Sequence, residues 1–136
     1  MNALTHLHIH SEFSLSDSIL RVGEIVDFAK SQGAEAIALT DHDGFYGVVR
    51  FAEAAQALAP QGRFIIYGPF LRDGRATSDG DARFDAAIRA DHPEAGYKND
   101  ADMLRWAGDS GLDVVARTEM PANNLALVMV RSKDTA

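Results

Sequence analysis

DVVARTEMPANNLALVMVR, residues 113–131, is the stretch on which the fold turns. Its two strand candidates, 113–119 and 125–131, have strand length and carry Val114, Val115, Leu125, Leu127, Val128 and Val130. Between them, Met-Pro-Ala-Asn-Asn is turn chemistry. The segment therefore predicts a terminal antiparallel hairpin. Upstream, RFIIYGPF (63–70) reads as a buried strand ending at Gly-Pro, and AIALT (36–40) as a shorter one. Residues 4–10 alternate like a strand as well. Helical spacing fills the gaps: Val22, Ile25, Val26 and Ala29 within 19–32, closed by Gly33, then GVVRFAEAAQAL at 47–58, punctuated by Pro60 and Gly62. Strand, helix, strand, helix, strand with short connections predicts an α/β domain on a mostly parallel sheet with right-handed crossovers. A polar, glycine-bearing loop at 71–80 precedes two more helices, 82–90 and 100–110, the second closed by Gly111. Only 132–136 reads as a loose tail.

The 136 residues, 46% hydrophobic and 24% charged, describe one soluble domain with a small core. No apolar run is long enough to cross a membrane, and residues 1–7 lack the basic-then-apolar build of a signal peptide. The expected compartment is the cytoplasm. With no cysteine there is neither disulfide nor thiolate ligand, so a metal would have to be held by imidazole and carboxylate. A net charge of −7 argues against direct nucleic-acid binding and suits a basic protein partner.

HLHIHSEFSLSD, residues 6–17, sets three histidines on alternate positions ahead of an aspartate. On a strand His6, His8 and His10 would point the same way, at a spacing suited to one ion. The bland alternative is a strand end where histidines meet solvent. Thr40-Asp41-His42-Asp43-Gly44 follows the second apolar run, where open α/β sheets gather their sites, which brings His42 toward His8 and His10.

These two stretches, LHIHSEFSLSDS and ALTDHDGFYGVVRFAEAA, resemble the start of the polymerase-and-histidinol-phosphatase (PHP) domain, closest to error-prone bacterial DNA polymerase III α-subunits, over residues 4–58. The resemblance implies that His8, His10, Asp17 and His42 fall on metal-ligand positions, whereas His6 matches none. Active members bind two or three zinc or manganese ions and hydrolyse phosphoesters. It further implies a partial zinc or manganese site with Asp41 or Asp43 orienting ligands or acting as base. The later glutamate and His, Cys and Asp-x-His ligands are missing: the third strand ends Tyr67-Gly68-Pro69-Phe70, and Ser18 replaces the usual glycine.

From residue 58 to 131 the chain resembles something else. GRFIIYGPFLRDGRATSDGDARFDAAIRA and GLDVVARTEMPANNLALVMVR are similar to the C-terminal half of a bacterial S-adenosylmethionine-dependent methyltransferase-like family. The glycine-rich cofactor turn of such enzymes lies in the half this chain lacks, so no S-adenosylmethionine is expected. Asn123 and Asn124 match a motif near the substrate side, with a plain turn as the alternative. The resemblance implies a three-layer Rossmann-like, mostly parallel sheet. Numbering the strands 4–10, 36–40, 63–70, 113–119 and 125–131 as β1 to β5, the expected order is β1-β2-β3-β5-β4 with a C-terminal antiparallel hairpin. Two half-domains joined within 47–58 point to recombination or to a designed or generated sequence, and the second reading is favoured here.

Other candidates have plain readings beside them. Asp79, Asp81, Asp85 and Asp91 suit a helix start better than a divalent cation. Arg72, Arg75 and Arg83 form the one local cationic cluster, an anion site or a solvated loop. Phe45 and Tyr46 flank a substrate or cap a core, Trp106 and Met103 read as core, and His92 as loop surface. The function expected is that of a small acidic, non-catalytic binding protein, antitoxin-like or inhibitor-like. The alternatives are a PHP-like phosphoesterase and a methyltransferase-like remnant.

Overall fold

A computed structural model describes residues 6–10, 20–34, 36–39 and 58–133. The chain divides into two units, Met1–Ala54 and Ala55–Ala136. In the first, β1 (His6–Ile9) pairs in parallel with β2 (Ile37–Leu39), and α1 (Val22–Ser31) lies between them in chain order. The start of α1 is fixed by Glu24, whose Oε2 accepts the Arg21 N–H at 3.0 Å. Val22 and Ile25, one turn apart, are its buried residues. Gly33, at φ 65°, ends it: its N–H donates to Lys30 O and the Ala34 N–H reaches back to Ala29 O, both at 3.0 Å. This crossed pair is the Schellman arrangement, which favours a residue without Cβ.

The second unit is built on an antiparallel sheet of three strands, β3 (Phe64–Pro69), β4 (Leu112–Glu119) and β5 (Asn124–Arg131), in the order β3-β5-β4. Strand alternation sends Phe64, Ile66, Leu125, Leu127 and Met129 to one side, where each is at most 6% exposed. Ile66 stands opposite Leu127 and Phe64 opposite Met129, so the core face is fixed by register. Met103 and Ala107 of α3 (Asp100–Asp109) join this core with Leu112 and Phe70, and α3 packs on β4. The longer α2 (Asp79–Asp91) has no fully buried residue.

The terminal hairpin appears where expected, and its strands begin one residue earlier, at Leu112 and Asn124. Helix α2 starts at Asp79 rather than 82 because Ser78 Oγ accepts the Asp81 N–H at 3.1 Å and caps it there. The fold is mixed α/β: among the described residues the first unit holds a parallel pair of strands and the second an antiparallel trio. Both neighbours of β5 run antiparallel to it. Residues 47–57 of the expected second helix, with Phe45 and Tyr46, lie outside the described residues. No helix among the described residues is long and apolar enough to cross a membrane.

Candidate functional site

The richest polar arrangement of the second unit lies where β3 ends and the β4–β5 hairpin turns. Two tight turns meet there. In Arg72-Asp73-Gly74-Arg75 the central residues have φ 51° and 74°, and the outer pair exchange N–H···O bonds of 2.8 and 3.0 Å. Positive φ at both central positions belongs to a type I′ turn, for which Asp-Gly is a favoured pair. Ala122 and Asn123, at φ 56° and 61°, repeat the geometry between Pro121 and Asn124. The first turn is stitched to the start of α3: Leu71 N–H donates to Lys98 O, Asp100 N–H to Leu71 O, and Gly74 N–H to Asn99 Oδ1.

Asp81, in the first turn of α2, gathers these elements. Its Oδ2 accepts from Ser78 Oγ (2.6 Å), Thr77 Oγ1 (3.2 Å) and Asn123 Nδ2 (2.9 Å), and its Oδ1 from the Tyr97 hydroxyl (3.2 Å). These donors, Ser78 foremost, hold its carboxyl below the ordinary range. Burial, reinforced by Asp81, pushes the Tyr97 phenol up to about 12. Tyr97 is clamped along its whole length. Its N–H donates to Asp85 Oδ1 at 2.5 Å, its carbonyl accepts from Arg89 Nη2 at 2.9 Å, and its ring meets Phe84 edge-on at 6.2 Å. Asp85 also takes Arg89 Nε at 2.9 Å, one helical turn on. Burial and Arg89 lower the neighbouring Lys98.

A chain of alternating charge runs alongside. Arg72 donates through Nε and Nη2 to both oxygens of Glu119 (3.2 and 2.8 Å), through Nη1 to Phe70 O (2.8 Å) and through Nη2 to Asn123 O (3.4 Å). Glu119 touches Arg117 at 3.4 Å, and Arg117 meets the buried Asp100 at 2.9 Å. Its hydrogen bonds to Arg72 hold the Glu119 carboxyl low, and the same contact raises Arg72. This planar fork on a carboxylate is the geometry for which arginine is suited.

Of the expected site residues, Asp17, Asp41, His42 and Asp43 lie outside the described residues, as does the side chain of His8. The backbone of His8 is in β1, and His10 follows that strand, half-buried. Against β2 the register of β1 shifts between His6 and Ile9. Among the described residues no group of three or more His, Cys, Asp or Glu could hold a metal. In the arginine cluster, Arg72 turns to Glu119 and two carbonyls, while Arg75 and Arg83 are exposed. Asp79 and Asp81 sit in the first turn of α2, Met103 is buried, Trp106 half-buried and His92 exposed.

The roles of Tyr97, Arg117 and Asp100 carried no motif in the sequence. Ser78-x-x-Asp81 did carry one, a capping-box spacing with Asp in place of Glu.

The family described as a protein of unknown function (DUF938) matches residues 42–131, and the PHP domain matches residues 6–71. An error-prone DNA polymerase of Nocardia farcinica is 60% identical over 50 residues, which is 37% of this chain and 4% of that polymerase. Two solved structures share the fold at a TM-score of 0.59. TnmH is 19% identical, covering 74% of this chain and 31% of its own. The mitomycin 7-O-methyltransferase MmcR is 12% identical, covering 96% and 49%. The chain thus spans less than half of each of these proteins, and the structural likeness is one of fold.

Proposed function

The chain belongs to the family of proteins of unknown function DUF938, and we propose that it acts as a small acidic, non-catalytic binding protein for a basic protein partner, antitoxin-like or inhibitor-like. One observation carries this reading. The conspicuous polar side chains of the second unit are spent on one another: Asp81 accepts four side-chain hydrogen bonds and Arg72 donates to a carboxylate and two carbonyls. A net charge of −7 on a frame held this way suits electrostatic steering of a cationic protein, in the cytoplasm. The test is calorimetric titration with lysozyme, cytochrome c and a histone across a salt series, with His8→Ala and His42→Ala beside the wild type. Binding that weakens as salt rises and ignores both substitutions supports the reading. No heat with any of these proteins at low salt refutes it.

A second reading, a zinc- or manganese-dependent phosphoesterase using His8, His10, Asp17 and His42, is favoured by the PHP match over residues 6–71. It requires phosphatase turnover with manganese that His8→Ala and His42→Ala abolish. A third, a methyltransferase-like remnant, draws on the shared fold. With it goes the finer architecture, a Rossmann-like order β1-β2-β3-β5-β4, supported by the parallel β1–β2 pair and by β5 lying between β3 and β4.

A further inference from the structure

The three-stranded sheet has a second face. Residues opposite one another in a ladder share a face, so the register draws two rungs across it, Ile65–Val128–Ala116 and Tyr67–Ala126–Thr118. A third begins at Asp113, opposite Val130. Alternation puts Arg63, two residues before Ile65, at the same end on the β3 side. This face is apolar and open: Ile65 is 60% and Tyr67 55% exposed. Exposed aliphatic and aromatic groups clustered on one sheet face mark an interaction surface.

The face is complementary to itself. The β3 column reads Arg63, Ile65, Tyr67, and the β4 column at the same levels reads Asp113, Ala116, Thr118. Lay a second copy on the first about a two-fold axis parallel to β5, and each β3 faces the other copy's β4 at the same level. Arg63 then meets Asp113 of the second copy, Ile65 meets Ala116 and Tyr67 meets Thr118. Cation faces anion, large faces small, and a phenol faces a hydroxyl, while the β5 residues Ala126, Val128 and Val130 stack on their equivalents. Aligned packing of two sheets about 10 Å apart is an ordinary β-sandwich geometry. Three strands and three rungs bury on the order of 1,000 Å² in total, the lower edge of specific interfaces, so the association is weak and reversible.

We propose that this open face of the β3-β5-β4 sheet is the interface of a two-fold homodimer, registered by Arg63 against Asp113 of the second copy. The experiment is sedimentation equilibrium of the full chain over a wide concentration range, with circular dichroism verifying the fold of each variant. A monomer–dimer equilibrium is expected, abolished by Ile65→Asp. Arg63→Asp and Asp113→Arg are each expected to weaken it about tenfold, and Arg63→Asp/Asp113→Arg together to recover it to within a few-fold of wild type. Bulk charge alone would act oppositely in the two single variants, since one makes this acidic chain more negative and the other less. Opposite effects of the single variants, a dimer indifferent to Ile65→Asp, or a monomer at every concentration would each overturn the proposal.

Discussion

Replacing Leu127 with alanine tests whether β5 is the spine of the second unit. Leu127 is 0% exposed and stands between Ile66 and Arg117 in the ladder. Losing Cγ, Cδ1 and Cδ2 forfeits about 2.4 kcal/mol of transfer free energy at about 0.8 kcal/mol per carbon. The cavity left behind raises the cost to about 3–4 kcal/mol, within the range for buried leucines. Ile65 loses the same number of carbons on truncation to alanine, but it is 60% exposed on the other face, and its loss is about 1 kcal/mol. The two variants are compared by urea titration followed by circular dichroism, at protein concentrations too low for copies to associate. A gap of about 2–3 kcal/mol between them is expected. Equal costs would mean that the two faces of β3 and β5 are not distinct, and the alternation argument would fall.

Acid should weaken the second unit. Asp81 and Glu119 have carboxyls held low when folded, so below about pH 4 the unfolded chain binds more protons than the folded one. Their contribution is complete above the ordinary carboxylate range and is lost as pH falls through the lowered values. The urea midpoint is expected to drop with acidification, and Asp81→Asn to flatten that drop; an unchanged slope in the variant would contradict the hydrogen-bond account. At the alkaline end, one of the three tyrosines is expected to ionise near pH 12 in an absorbance titration, a step missing from Tyr97→Phe. Gly96→Ala should destabilise the unit, because a Cβ there would run into the guanidinium of Arg89 and the carboxylate of Asp85. Calorimetric melting beside Arg89→Ala checks it: with the guanidinium gone, the added methyl should cost less.

Elements whose cause is local were legible in the sequence. The Gly33 helix stop and the strands around MPANN each have a chemical signature within a few residues. The position of Asp81 was visible as an acid in a first turn, but its four donors come from residues 77, 78, 97 and 123, and spacing along the chain does not encode that convergence. The partner of Arg72 was hidden for a related reason: its carboxylate lies 47 positions downstream. Alternation fixes which face a strand buries and says little about which strand lies beside it.

The links from Asp81 to Asn123 and from Arg72 to Glu119 and the Asn123 carbonyl tie the hairpin tip to the segment after β3 at several points. Neither piece can lift away without breaking the other's bonds, so the two should breathe together as one cooperative opening unit. In native-state hydrogen exchange the amide of Arg75, bonded across its own turn, and that of Met120, bonded to Asn124 O, would then share one opening free energy although 45 positions separate them. Asn123→Ala and Arg72→Ala, in loosening the shared seam, would speed exchange at both amides at once.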